Sequence, residues 1–245
     1  MVDILSQFGT SLLIGGYPNG PLGGIALTLI MSFTALCFAF PVALSVAIAR
    51  TSPLSFVRRC ATVYVYAVRG IPVLLIIFWS YFVLPLATGI DTSPAVTVVC
   101  ALIVYEGAYL GEAIRAALVA LPKGQTEAAR SLGLGYWQTL RTVVLPQALF
   151  NCLPSMMNQF ILIVKNTSLA YIIGAHEATF EANGINAQLL TQPFQVYVIL
   201  AAIYFLICYS LNRLSGLLER KILRRRTARA NVSQSPNSPL MKASS

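Results

Sequence analysis

Long apolar runs alternate along this chain with short segments that collect its lysines and arginines. A helix needs about 20 apolar residues to cross a hydrocarbon layer about 30 Å thick, and it must pair all its backbone polar groups internally. Five runs meet that length: 22–49, 60–87, 95–118, 148–173 and 196–218. The expected fold class is therefore all-α, a polytopic membrane protein with about five transmembrane helices. The first run carries no charge, whereas the second holds Arg69, Pro72 and Pro85. Glu106, Glu112 and Arg115 fall in the third, and Pro154 and Lys165 in the fourth.

The basic residues set the expected orientation, because short loops rich in Lys and Arg stay on the cytoplasmic side during insertion. Residues 1–21, 88–94 and 174–195 contain none. Arg50, Arg58 and Arg59 lie between the first and second runs, Lys123, Arg130 and Arg141 between the third and fourth, and the cluster from Arg220 to Arg229 after the fifth. The N-terminus is expected outside and the C-terminus inside. The chain then divides into an extracytoplasmic segment at 1–21, a transmembrane domain at 22–222 with a cytoplasmic loop at 119–147, and a basic, disordered cytoplasmic tail at 223–245. The tail is rich in Ser, Asn and Pro and has too few large apolar groups to fold alone.

Composition agrees with this pattern: 57% of residues are apolar and 10% charged, against about 25% charged in soluble domains. The net charge of +9 sits beside helix ends, which argues for membrane topology and against nucleic-acid binding. No basic n-region or small-residue cleavage pattern marks the N-terminus, so the first helix is expected to be retained. The five cysteines are scattered singly without CxxC or Cys/His spacing, as apolar packing residues are. No metal or other cofactor is expected on this chain.

One polar stretch interrupts the apolar pattern, KGQTEAARSLGLGYWQTLRTVVLPQ from Lys123 to Gln147. Thr126 is a candidate N-cap, Glu127 sits in a first turn, and Gly133 suits the left-handed residue after a helix end. The result is a helix of under two turns, too short to persist unless something packs on it. Ala128, Ala129 and Leu132 offer it a small apolar face, while Glu127 and Arg130 stand three apart and can pair. Beyond Gly135, Tyr136, Trp137, Leu140, Val143 and Val144 recur at helical spacing, a stripe suited to the membrane interface. Pro146 then ends or kinks the stripe.

Glu127-Ala128-Ala129, Gly133 and Leu145-Pro146 together resemble the EAA loop of permease subunits of bacterial ATP-binding-cassette importers. "RGIP" at 69–72 and "KNTSLAYIIG" at 165–174 resemble the RGTP and KDTSL elements of the polar amino-acid branch, which takes histidine, glutamate, glutamine, arginine and opines. The likeness covers about 22–222, with Asn166 where an Asp is common and Val143 where Ile is. It implies a multi-pass permease of the bacterial inner membrane that moves polar amino acids, of the glutamate, aspartate or glutamine type, by alternating access. Glu127, Ala128, Ala129, Leu132 and Gly133 would then form a coupling helix docked on a separate cytoplasmic ATPase, so that Gly133→Asp uncouples hydrolysis from transport. No GxxxxGKS or GxxxxGKT loop occurs here, so ATP and Mg belong to that partner. The other implied partners are a second permease subunit, identical or related, and an extracytoplasmic amino-acid-binding protein.

Charges inside a membrane usually face a bundle interior or a wet pathway, since each costs at least about 2.5 kcal/mol at mid-bilayer. Glu106 lies about 16 Å into its helix at 1.5 Å per residue, near the centre. Arg69 precedes Gly70 and Pro72, a combination that bends helices and frees backbone groups beside cavities. With Glu112, Asn158, Lys165 and Thr167 these form the candidate substrate pathway, and Gln159 lies beside them. For Glu112 the alternative is an ion pair with Arg115 on the same helix. An ion-coupled secondary carrier using Glu106 and Glu112 as proton sites is the competing function, although the five runs lack the internal repeat such carriers often show.

Overall fold

The computed structural model describes the backbone of residues 2–234, and the part of the expected tail at 235–245 lies outside the described residues. Among those described, four helices are long and apolar enough to cross a membrane, or five if a bent pair counts as one. Helix α1 (Val2–Ile14) occupies most of the expected N-terminal segment. Helix α2 (Gly24–Thr51) matches the first run and carries Pro41 inside it.

The second run is not one helix. Helix α3 (Ser55–Arg69) starts earlier than expected and stops at Gly70, and α4 (Val73–Phe78) leaves at 101° to it. Pro72 sits immediately before α4 and has no N–H to continue the ladder. A π-helical turn, Trp79–Val83, then leads into α5 (Leu84–Thr88). Pro85 follows that turn, and a ring at Pro85 crowds the carbonyl four residues back, which the wider π turn relieves.

Helix α6 (Pro94–Val119) is capped by Ser93, whose side chain accepts from the Val96 N–H. It lies along α2, both running the same way, with Met31 and Ala35 beside Val98 to Leu102 and Ala43 and Ala47 beside Leu110 and Ile114. Their seam is made of small residues: Ala35, Ala39, Ala43 and Ala47 are fully buried. A Cβ at Gly107 would stand 2.7 Å from Val42 Cγ1. Without a hydrophobic drive between helices in lipid, such close backbone approach is what holds them together.

Helix α7 (Lys123–Ser131) and α8 (Tyr136–Thr139) fill the expected loop. A second π turn, Leu140–Val144, precedes α9 (Leu145–Asn166). Pro146 therefore does not end the stripe begun at Tyr136. Tyr136 opens a helical run to Ile173 that qualifies as a single span, so the fourth span starts about three turns before the expected 148. It closes in a 3₁₀ segment, Thr167–Ile173, stopped by left-handed Gly174.

Helix α10 (Ala178–Leu189) lies within the expected loop at 174–195. Its cap is Glu177, which accepts from the Thr179 and Phe180 N–H groups at 2.9 and 3.0 Å. Glu177 is fully buried and also accepts from the Tyr204 hydroxyl at 3.0 Å. Burial pushes its carboxyl up to about 7 in spite of these donors. Helix α11 (Pro193–Gln234) continues past 223, where the disordered tail was expected to begin. An apolar cluster of Ile4 and Leu12 with Ala182, Val196 and Leu200 binds α1, α10 and α11 into one end of the molecule.

Candidate functional site

At the opposite end, α7 is a helix of nine residues and not under two turns. It starts at Lys123 after Pro122, so Thr126 is inside the helix and caps nothing. Its C-terminus is as expected. Gly133 has φ +85°, the Gly133 N–H donates to the Arg130 carbonyl at 3.0 Å and Leu134 N–H to the Ala129 carbonyl at 3.3 Å. Those two bonds define a Schellman stop, in which a left-handed residue turns the chain and satisfies carbonyls.

The five expected coupling residues divide between two faces. Ala129 is turned inward at 5% exposure, while Leu132 stands outward at 84%. Glu127, Ala128 and Gly133 are exposed as well. The outward surface is thus Glu127, Ala128 and Leu132, with Ala129 as the inward anchor, and the flat face expected from Ala128, Ala129 and Leu132 together does not form. Glu127 and Arg130 make no ion pair. Instead Gln147 of α9 donates from Nε2 to Gln125 Oε1 at 2.5 Å, tying α7 to the next span. A cavity of about 240 Å³, bordered by Thr126, Arg130, Tyr136 and Thr51, lies behind the helix.

The pathway candidates are separated. Glu106 is fully buried and accepts from Gln159 Nε2 and, at 3.3 Å, from Asn166 Nδ2 of α9. No cation pairs with it among the described residues, so two neutral amides hold a carboxylate that is otherwise costly to bury. Sequence reasoning marked Glu106 and Gln159 one by one and did not pair them. It also read Asn166 only as a lost charge, whereas Asn166 donates where an Asp would repel. An acid near the middle of one apolar run and two amides in another were the available signal.

Arg69, at the break between α3 and α4, is exposed and lies 4.9 Å from the Tyr109 ring centroid, a cation–π arrangement. The Tyr109 ring packs on Tyr105 at 4.7 Å, and the Tyr105 hydroxyl donates to that of Tyr109 at 3.2 Å. Glu112 is paired with Arg115, as the alternative reading held, at 2.6 to 3.0 Å. It is also paired with Arg50 of α2, which sequence spacing gave no means to find. Thr167 is buried and donates to Val164 of its own helix at 2.8 Å, so its hydroxyl does not reach an open pathway. Asn158 is exposed. Lys165 is exposed too and borders an open cleft of about 400 Å³ with Ser168 and Tyr204.

Several membrane helices, a broken second span and a short outward-facing helix hung between two spans define a component of a membrane permease. The comparisons with known proteins agree: residues 39–224 match the family described as "Binding-protein-dependent transport system inner membrane component", and the chain belongs to that family. It is 36% identical over 209 residues to the inner membrane amino-acid ABC transporter permease protein YhdY of Escherichia coli K12, covering 84% of this chain and 57% of YhdY. The chain thus spans little more than half of that relative. It is also 36% identical over 212 residues to the probable glutamine ABC transporter permease GlnP of Bacillus subtilis 168, covering 84% of this chain and 97% of GlnP.

Among solved structures, a chain described as "an amino acid ABC transporter with histidines" aligns with a TM-score of 0.74 at 32% identity, covering 81% of this chain and 92% of the other. The permease is accordingly a multi-pass protein of the inner membrane, of a family that works with an ATPase subunit and a binding protein. That membership sets aside the ion-coupled carrier.

Proposed function

We propose that this chain is the permease of a polar amino-acid importer of the glutamine or glutamate type, working as one half of a homodimeric or heterodimeric permease. α7 faces the cytoplasm and docks through Glu127, Ala128 and Leu132 on the ATPase. α1 and α10 face outward toward an extracytoplasmic amino-acid-binding protein. The observation that carries the reading is the outward face of α7, set on the left-handed turn at Gly133. Leu132, 84% exposed beside Ala128, supports the reading as an apolar contact that a partner surface can cover. The substrate class rests on the named relatives, which include glutamine and amino-acid permeases. The orientation rests on Arg58, Arg59, Lys123 and Arg141, all at the α7 end.

Substrate would meet charges of both signs: Arg69 beside Tyr109, Lys165 in its open cleft, and Glu106 behind its two amides. ATP binding and hydrolysis on the partner would bias the helices between outward-open and inward-open packings. The test is reconstitution with the cognate ATPase and binding protein in proteoliposomes. Uptake of labelled glutamine or glutamate should require all three chains and ATP. Uptake that follows a proton gradient without the ATPase contradicts the proposal. Cysteines placed at Ala128 and Leu132 should crosslink to the ATPase.

A further inference from the structure

At the α7 end, one chain of polar contacts joins the coupling segment to the two most closely packed spans. The Tyr136 hydroxyl of α8 donates to the carbonyl of Thr51, the last residue of α2, at 3.3 Å. The next residue back, Arg50, reaches across to Glu112 of α6. Glu112 also receives Arg115, Nε to Oε1 and Oε2 at 3.0 and 2.9 Å and Nη2 to Oε1 at 2.6 Å. The Arg50 guanidinium lies 5.6 Å from the Tyr66 ring centroid of α3. Arginines of α2 and α6 meet on one carboxylate, with α3 and α8 held beside it through Arg50 and Thr51.

We propose that Arg50, Glu112 and Arg115 form the joint through which displacement of the coupling segment moves α2 and α6 together, and that Glu112 is a positioning residue and not a substrate ligand. The proposal rests on the coupling role argued above. Two features of the packing lead to it. Around the joint the packing is not filled, since a cavity of about 240 Å³ is lined by Thr51, Leu118, Tyr136 and Leu140. Beside the apolar cluster that holds Leu118 and Leu140, the hydrogen bond to Thr51 with the ion pairs beyond it gives a push on α8 a directional connection to α2 and α6.

Further along, the Ala35 to Ala47 seam against Gly107 and Gly111 is tight. A displacement delivered at the joint is there shared by two helices that cannot slide past one another.

The chemistry suits a joint better than a binding site. A forked guanidinium against a carboxylate fixes direction as well as distance. Both Glu112 oxygens are taken by arginines, which leaves no lone carboxylate for a substrate ammonium. The side chains of Arg50, Glu112 and Arg115 are 10%, 23% and 30% exposed, enough shielding for the pairs to resist salt. Removing the Glu112 charge leaves Arg50 and Arg115 facing each other without a counter-ion.

The experiment measures substrate taken up per ATP hydrolysed in proteoliposomes holding the whole complex, with uptake KM measured alongside. Glu112→Gln should lower that ratio about tenfold, within the usual range of coupling energies, and leave KM unchanged. Arg50→Lys, which keeps the charge and loses the fork, should give an intermediate ratio, and it is the variant to read if Glu112→Gln does not fold. Combining Arg50→Gln with Glu112→Gln should do no further harm than either alone, because the two act through one contact. A purely structural role would lower uptake and hydrolysis together at constant ratio, and a ligand role would raise KM at constant ratio; either overturns the joint. A wild-type complex without ATP-driven uptake overturns the coupling reading and the joint with it, whereas an active wild type with an unaltered ratio in Glu112→Gln overturns the joint alone.

Discussion

Gly133 offers the sharpest check on how α7 is presented. Its φ of +85° lies where a residue bearing a Cβ is strained, yet a Cβ built there meets nothing within 4 Å. A substitution therefore acts through the backbone alone. The left-handed conformation costs an ordinary residue about 1–2 kcal/mol, which lowers the population of the docked geometry by a factor of about 5–30. Asn and Asp tolerate this region best and β-branched residues worst. Transport should therefore fall in the order Gly133→Asn, Gly133→Ala, Gly133→Val, with Asn close to wild type, measured as ATP-dependent amino-acid uptake in proteoliposomes. Gly133→Asp matches Asn in backbone cost, so a loss confined to Asp assigns uncoupling to charge at the ATPase surface. Equal activity of Val and Gly, or Asn as harmful as Val, would refute the argument.

Other outcomes follow from the packing and the buried acids. Gly107→Ala places its Cβ 2.7 Å from Val42 Cγ1, and valine in a helix has little freedom to turn away. Overpacking of about 1–3 kcal/mol should lower the melting temperature of the detergent-purified protein, and adding Val42→Ala should restore it; an unchanged melt for Gly107→Ala counts against the seam. Glu177 holds its proton up to about 7 when folded, against an ordinary 4.5. The folded state thus binds more protons between those values, and stability should fall as pH rises from about 4.5 to 7 and level off above it. Glu177→Gln should reduce that slope in thermal melts recorded across the window, without removing the part carried by other carboxyls such as Glu181, which burial also pushes up while His176 pulls it down. A slope unaltered by Glu177→Gln would show that another group titrates.

Much of the architecture is written in local pattern. The apolar runs at 22–49, 95–118 and 196–218 became α2, α6 and the first part of α11 because length and apolarity alone decide such spans. Gly133 was legible for the same reason, as one backbone position with one residue suited to it. What escaped depends on partners far away in sequence. The bend at Gly70 to Pro72 was itself legible from the Gly and the Pro, but its angle of 101° was not. The inward turn of Ala129 depends on the body beneath it, and no spacing rule joins Arg50 to Glu112 across 62 residues. Pro146 left a stop or a kink open: a π turn precedes it and the helical run continues, so the stop did not occur. Helix α10 was missed because its polar sequence relies on the buried Glu177 cap.

The broken second span bears on how the protein is assembled. At 1.5 Å per residue α3 is about 22 Å long, short of the hydrocarbon thickness, and it carries Arg58, Arg59 and Arg69. Such a segment is a poor candidate for insertion by hydrophobicity alone. The α2 and α6 pair, complete along its own alanine and glycine contacts, supplies a finished wall against which α3 settles, with the Tyr64 hydroxyl donating to the Val104 carbonyl at 2.6 Å. Biogenesis would therefore run out of chain order, the third span docking on the first before the second finds its place.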